Sequence, residues 1–123
     1  MSWLLIGLGG FAGAISRYAV DTAVTARVGG TFPWGTFLIN ISGSFLLGVL
    51  FAVIAERALL PQEVRGPLLI GFIGAYTTFS TYMLETWRLV EAGSVGTALV
   101  YVIGSVGVGL VAVVLGLGLG RAI

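Results

Sequence analysis

The segment Gly71–Glu85, GFIGAYTTFSTYMLE, sets two aromatic rings and a group of hydroxyl side chains in the middle of a strongly apolar stretch. The rings, Phe79 and Tyr82, are three positions apart and therefore share one face of a helix. Paired β-branched threonines and Gly74 weaken a helix locally, so we expect the third helix of the chain to be broken here. Because a broken helix at membrane depth is tolerated where its free backbone groups are buried in protein or line a cavity, the segment predicts a polar site inside a membrane protein. The hydroxyl groups belong to Thr77, Thr78, Ser80 and Thr81.

The composition of the whole chain agrees with a membrane protein. Of its 123 residues, 58% are hydrophobic and 9% are charged, whereas soluble domains have roughly 45–50% apolar and about 25% charged residues. Lysine, histidine and cysteine are all missing from the sequence. This excludes disulfides, thiol chemistry, zinc sites built from Cys or His, and hydrolases that use a histidine base, so we do not expect an enzyme. The net charge of +1 does not indicate nucleic-acid binding.

Four apolar stretches are long enough to cross a bilayer, which requires about 20 residues per helix. They predict an all-α membrane protein whose residues 1–123 form a single four-helix transmembrane domain. Ala12-Gly13-Ala14 resembles a signal-peptide cleavage site, but no basic residue precedes Trp3, so we expect the first stretch to remain as a helix. The predicted helices cover about 2–25, 33–54, 67–90 and 97–119.

Glycine is abundant, with 20 residues in the chain. In lipid, small residues allow helix backbones to approach closely, so the glycines predict tight helix packing. The most regular groups are Gly9 with Gly13, Gly104 with Gly107 and Gly109, and Gly116 with Gly118 and Gly120.

Arginines are distributed evenly between the two predicted sides of the membrane. One side has Arg57, Arg65 and Arg121, and the other has Arg27 and Arg88, plus Arg17 if it reaches that interface. Since an excess of Lys and Arg normally marks the cytoplasmic side, this sequence favours neither orientation. A chain that inserts both ways round can form an antiparallel dual-topology dimer.

Polar side chains also recur on the second and fourth helices. Thr36, Asn40 and Ser44 follow one another at four-residue spacing and share a face. Thr36 and Ser44 can bond to their own helix, so a structural role explains them as well as a pore role does. The Asn40 amide has two donor hydrogens and an acceptor oxygen to satisfy, which favours a functional role. On the fourth helix Tyr101 and Ser105 share a face, and the next position, Gly109, has no hydroxyl.

The charged residues favour a passive pathway. Glu85 and Arg88 are three apart and are expected to pair with each other, and Arg17 is expected to have a structural role, snorkelling or bonding to loop carbonyls. No acidic or basic residue lies at the middle of a predicted helix, where ion-coupled transporters usually have one. Hydroxyl and amide donors with positive ring edges suit a small anion, although hydroxyls serve cations equally well. The residues alone therefore indicate a channel without identifying its ion.

Three segments resemble one family, the small fluoride channels called Fluc or CrcB: GGFAGAISRY at Gly9–Tyr18, GTFLINISGSFLLG at Gly35–Gly48, and Gly71–Glu85. The resemblance implies a homodimer of antiparallel, dual-topology subunits with two fluoride pores along their interface. It also implies a multi-pass protein of a prokaryotic-type inner membrane that exports fluoride passively and prevents intracellular fluoride toxicity.

The resemblance also implies roles for individual residues. Asn40 would be a donor in the pore and Phe79 a ring-edge ligand for fluoride, while Tyr82 stands where the family usually has a second Phe. The backbone carbonyls of Gly74 and Thr77 would bind a structural sodium ion at the dimer centre, with no organic cofactor. The remaining pore-lining residues would be Ser80, Thr81, Tyr101 and Ser105.

Two other functions remain as alternatives. A small dual-topology multidrug transporter needs an acidic residue within its first helix, and the sequence has none before Asp21, at the far end of that helix. A structural membrane subunit that assembles with partners would need neither Asn40 nor the hydroxyl cluster.

Overall fold

The computed structural model describes residues 2–123, and four long apolar helices account for most of them. This confirms the predicted all-α membrane protein with four spans. The spans differ from the predicted ranges by no more than three residues at seven of the eight ends, and the third starts about five residues earlier because it includes a 3₁₀ turn, Gln62–Val64. We call them the first to fourth spans: Ser2–Arg27, Trp34–Glu56, Gln62–Glu91 and Val95–Ala122.

The second and fourth spans pack directly backbone against backbone. A Cβ added at Gly116 would overlap the carbonyl oxygen of Phe45, and one at Gly48 would overlap that of Val113. Since no side chain larger than a hydrogen fits at either position, these glycines allow the helices to approach closely, as small residues commonly do in membranes. We call this contact the glycine seam.

The first span is held against the third in a similar way. After its opening 3₁₀ turn, the third span continues as a π-helical segment, Gly66–Ile73. A Cβ at Gly13 would overlap the carbonyl oxygen of Phe72 within that segment. The glycine contact therefore fixes the approach of the first span to the residues just before the hydroxyl cluster.

The third span is interrupted at two residues near its middle. Helix Gly74–Tyr76 ends at Thr77, which has φ −83° and ψ 158°, and Thr78 is also extended, with φ −148° and ψ 121°. A new helix, Phe79–Glu91, starts immediately afterwards, and the Thr78 hydroxyl caps it by accepting a 3.3 Å hydrogen bond from the backbone N–H of Thr81. The Thr77–Thr78 interruption leaves helical hydrogen-bonding groups without their usual partners at membrane depth.

An aromatic cluster joins the second half of the third span to the fourth span. Tyr82 and Tyr101 are both buried, with ring centroids 5.0 Å apart and planes at 88°. Phe32, in the loop before the second span, meets the Tyr101 ring edge-on at 5.3 Å. This packing sets the position of the helix that follows the interruption.

Candidate functional site

A cleft of about 270 Å³ opens at the interruption of the third span. The second span, the interruption and the fourth span each contribute to its walls. None of the described residues that line it is charged. We call it the hydroxyl cleft; its lining is Asn40, Gly43, Ser44, Leu47, Ile73, Thr77, Thr78, Phe79, Tyr82, Ser105 and Val106.

Asn40 holds the interruption in place through two hydrogen bonds. Its Nδ2 donates to the carbonyl oxygen of Thr78 at 3.0 Å, and its Oδ1 accepts from the backbone N–H of Thr78 at 2.9 Å. The side chain thus replaces the helical partners that the extended backbone of Thr78 has lost. One of the two Nδ2 hydrogens is used in this way, and the other is available to the cleft that Asn40 lines.

Arg17 satisfies another group at the same break. Its Nε donates to the carbonyl oxygen of Ala75 at 3.0 Å, from the first span to the third. A second cleft, of about 300 Å³, lies beside this contact and shares Thr78 with the hydroxyl cleft. We call it the arginine cleft; it is lined by Ala14, Arg17, Tyr18, Asp21, Thr36, Ile39, Thr78 and Thr81.

The two rings predicted to lie in a pore have different surroundings. Phe79 is 71% exposed on the single chain, and its ring meets that of Tyr82 edge-on, with centroids 6.0 Å apart and planes at 80°. Tyr82 is buried, and its hydroxyl donates to the carbonyl oxygen of Val102 at 2.8 Å. Both rings line the hydroxyl cleft, but the Tyr82 hydroxyl is already engaged with the fourth span.

The predicted pairing of Glu85 with Arg88 is wrong. The Glu85 carboxylate accepts a 2.8 Å hydrogen bond from the hydroxyl of Tyr101, which crosses from the fourth span. The hydroxyl of the buried Tyr101 therefore takes the place of Arg88, which is exposed and one helical turn away from Glu85. Within residues 2–123 the ion pair that forms is between Arg121 and Glu56, at the ends of the fourth and second spans.

Ser105 is buried and lines the hydroxyl cleft, yet its Oγ has no hydrogen-bond partner among the described residues. Buried polar groups are normally paired, so an orphaned hydroxyl at a cleft requires an explanation. A ligand that accepts a hydrogen bond inside the cleft would supply one.

The structure brings together only part of the predicted site. Asn40, Phe79, Tyr82 and Ser105 line the hydroxyl cleft with the Thr77 side chain, whereas Thr81 lines the arginine cleft. Tyr101 is buried behind the cleft, Ser80 is exposed and lines neither cleft, and Gly74 is exposed. Thr78, which caps the helix and joins the two clefts, was missed as a site residue; a threonine just before a resumed helix is the signal that identifies it.

The backbone at the interruption offers oxygen atoms. In a continuous helix the Thr78 N–H would donate to the Gly74 carbonyl, but here it donates to Asn40. The carbonyl oxygens of Gly74 and Thr77 accept no hydrogen bond from residues 2–123. No cluster of acidic side chains able to hold a metal ion occurs in that part of the chain, so a hard cation would depend on these carbonyls.

A family model described as CrcB-like protein, Camphor Resistance (CrcB), matches residues 4–117. The chain belongs to the CrcB family. The match includes most of all four spans and every residue of both clefts. Both clefts therefore lie within the part of the chain that the family model matches.

Curated relatives of this CrcB-family chain have consistent names. A fluoride-specific ion channel FluC of Magnetococcus marinus is 43% identical over 98 residues, which is 80% of this chain and 80% of that protein. FluC 1 of Symbiobacterium thermophilum is 47% identical over 101 residues, 81% of this chain and 82% of the relative. FluC of Acidobacterium capsulatum is 45% identical over 101 residues, with coverage of 82% and 81%.

Proposed function

We propose that this protein is a fluoride-specific channel, not an enzyme, and that it lets fluoride leave the cell passively and so prevents fluoride toxicity. The observation that carries the proposal is the uncharged hydroxyl cleft with the unpartnered Ser105 hydroxyl, in a multi-pass membrane protein whose relatives are named fluoride-specific ion channels. We also propose that it resides in a prokaryotic-type inner membrane, as the family resemblance implies.

The chemistry of the cleft suits a small anion that must give up its water. Hydroxyl and amide hydrogens replace hydration, and the edge of an aromatic ring carries the positive part of its quadrupole. The helix Phe79–Glu91 begins at the cleft, so the positive end of its dipole also faces an anion there. Conduction requires weak binding, and the absence of Arg from the described cleft lining avoids trapping the ion.

Three of the predicted residues that line the hydroxyl cleft would contact the ion in this pathway. Asn40 offers its free amide hydrogen, Phe79 its ring edge, and Ser105 its hydroxyl. Tyr82 contributes the second ring, and Tyr101, whose hydroxyl already donates to Glu85, packs against that ring from the fourth span. Arg17 and Glu85 have structural roles, since each bonds to a group that positions the cleft wall. Thr81 lines the arginine cleft, and the exposed Ser80, which lines neither cleft, would lie at the approach to the pore.

An antiparallel homodimer would bury the groups at the interruption that are exposed or unbonded on the single chain. Phe79 is largely exposed, and the unbonded carbonyls of Gly74 and Thr77 lie at the middle of a span. Irregular backbone at membrane depth must be buried in protein or line a cavity, which favours a second copy packed here. The even arginine distribution agrees with two opposite orientations.

The same unbonded carbonyls support a sodium ion at the dimer centre. The Gly74 and Thr77 carbonyl oxygens are hard, uncharged ligands without other partners, as a structural Na⁺ site requires. The ion would supply positive charge to an otherwise uncompensated set of carbonyl dipoles.

The alternative functions have less support. The first span extends to Arg27 and so includes Asp21, which lines the arginine cleft beside Arg17. An arginine at that cleft weakens the case for a multidrug transporter that binds cations through an acidic residue. A purely structural subunit gives no reason for a buried hydroxyl without a partner.

The test is fluoride efflux from sodium-loaded liposomes containing the purified protein, measured with a fluoride electrode and with chloride efflux as the control. We expect fluoride efflux without chloride efflux. Phe79→Leu should slow it by about tenfold or more, because an aliphatic chain lacks the positive ring edge. Phe11→Leu is the matched control, since Phe11 is similarly exposed, at 68%, but lies on the first span.

Folded protein that passes neither ion would refute the channel, and equal rates for both variants would refute the role of Phe79. Topology is tested in intact cells that express the protein, because reconstitution can itself insert a protein both ways round. A cysteine introduced at Ala122 is unique because the chain has none, and an impermeant maleimide added outside should label about half of the chains. Labelling of nearly all or none would contradict dual topology.

A further inference from the structure

The fourth span presents one hydroxyl group to the cleft, that of Ser105, and has a glycine one turn later. Ser105 and Gly109 are four residues apart and so lie on the same face. A donor is therefore missing from the fourth span at the level of Gly109, beside a cleft whose Ser105 hydroxyl has no partner.

Close packing does not explain Gly109. A Cβ added there would meet Cδ1 of Ile41 at 3.7 Å and Oγ of Ser44 at 3.9 Å, which are ordinary van der Waals distances. At Gly116, two turns further along, the added atom would overlap the backbone of the second span. Gly109 thus leaves a small space, and a hydroxyl from the second span lies on its far side.

Ser44 is able to donate into that space. Its hydroxyl bonds to the carbonyl oxygen of Asn40 at 2.7 Å, one turn back on its own helix. That carbonyl lies within an α-helix and has the backbone N–H of Ser44 as its regular partner. Turning the hydroxyl towards an anion therefore leaves no backbone group unpaired.

We propose that Ser44 supplies the anion-facing hydroxyl at the level of Gly109, so that the ion passes from Ser105 on the fourth span to Ser44 on the second. This inference rests on the proposed channel function. Ser44 and Ser105 both line the hydroxyl cleft, and a dehydrated anion needs a donor at each step to avoid a barrier. Ser44 is then a hydrogen-bond donor in the path of the ion, while Gly109 provides the space in which its hydroxyl acts.

The experiment moves the hydroxyl from one span to the other and measures initial fluoride efflux from liposomes. Ser44→Ala should slow efflux by about tenfold, as expected for the loss of a hydrogen bond to a charged ligand. Adding Gly109→Ser to Ser44→Ala should restore the rate to within about threefold of wild type, and adding Gly109→Ala instead should not. If Ser44 acted only in helix packing, the two double variants would conduct fluoride at similar rates.

Two further variants complete the design. Ser42→Ala makes the same change two residues away, where the hydroxyl contacts that of Tyr76 outside the cleft, and should leave efflux unchanged. Ser44→Thr keeps a hydroxyl on the second span and should conduct at close to the wild-type rate even if Gly109→Ser fails to fold.

The outcomes separate this inference from the channel itself. If wild type conducts fluoride and Ser44→Ala conducts equally well, Ser44 is outside the path and the inference is wrong. It is also wrong if both double variants recover, or if both folded double variants stay slow. If wild type does not conduct, the proposed function fails instead.

Discussion

The glycine seam and the interruption of the third span differ in how the helix backbone forms its hydrogen bonds inside the bilayer. In the seam, the second and fourth spans keep regular helical hydrogen bonds and meet through Gly48 and Gly116, where no side chain fits. At the interruption, the helix gives up its regular bonds at Thr77 and Thr78. Side chains from two other spans, Asn40 and Arg17, replace them.

The difference shows where a pathway can exist in a small membrane protein. The glycine seam has no space and no free polar groups, so it stabilises the bundle but cannot bind an ion. The interruption exposes carbonyls, a helix N-terminus and hydroxyls, at the cost of needing a dedicated polar partner for each broken bond. Stability is therefore expected to depend on shape in the first region and on individual hydrogen bonds in the second.

The largest effect on stability is expected from adding one methyl group to the seam. Gly116→Ala would drive a Cβ into the backbone of Phe45, and helices that separate to make room lose packing along their length. Strain of this kind typically costs about 1–3 kcal/mol, and more when backbone must move. The measurement is the fraction of monodisperse protein that survives heating, followed by size-exclusion chromatography.

Gly118→Ala is the control on the same helix, two residues away. A Cβ at Gly118 would have no atom within 4 Å outside its own helix, so this change should leave the heating curve unaltered or raise it slightly through better helix propensity. Equal loss of stability in the two variants would show that contact with the second span is not what requires a glycine at position 116.

The sequence predicts that glycines pack, but not which ones. Gly116 and Gly120 are in contact with the second span, whereas Gly104, Gly107 and Gly118 face open space on the single chain. All are in the same apolar helix with similar neighbours. The distinction depends on which face meets the second span, and a span that is apolar on every side gives no periodic signal of that direction.

A smaller effect is expected at the interruption from Asn40→Leu. The leucine has nearly the same size but leaves the Thr78 N–H and carbonyl without partners. Because Thr78 is only half-buried and lines two clefts, each lost bond should cost about 0.5–1.5 kcal/mol, less than moving backbone at the seam. The protein should survive heating less well and lose fluoride efflux.

Thr86→Val is the control for this change. The Thr86 hydroxyl bonds only to the Tyr82 carbonyl on its own helix, so stability should change little. An unaltered heating curve for Asn40→Leu would mean that water or a partner satisfies Thr78.

The sequence indicated the chemistry of this region better than its geometry. Asn40 and two members of the hydroxyl cluster, Thr77 and Thr78, line the hydroxyl cleft, whereas Ser80 and Thr81 do not. However, the pairing of Asn40 with Thr78 depends on how two spans face each other, and the Glu85–Tyr101 bond replaces a pairing that spacing along one helix favoured. Contacts between helices are not encoded in the spacing within either one.

The smallest effect is expected for Tyr82→Phe, which removes only the hydroxyl that bonds to the Val102 carbonyl. That carbonyl lies within the fourth helix, so the loss should cost about 0.5–1.5 kcal/mol. Because the ring is also held edge-on between Phe79 and Tyr101, fluoride efflux should stay within about twofold of wild type. Efflux from liposomes and survival on heating are measured together. A large loss of efflux with unchanged stability would mean that the hydroxyl leaves Val102 to bind the ion, and the aromatic wall would then act as a hydrogen-bond donor as well as a ring edge.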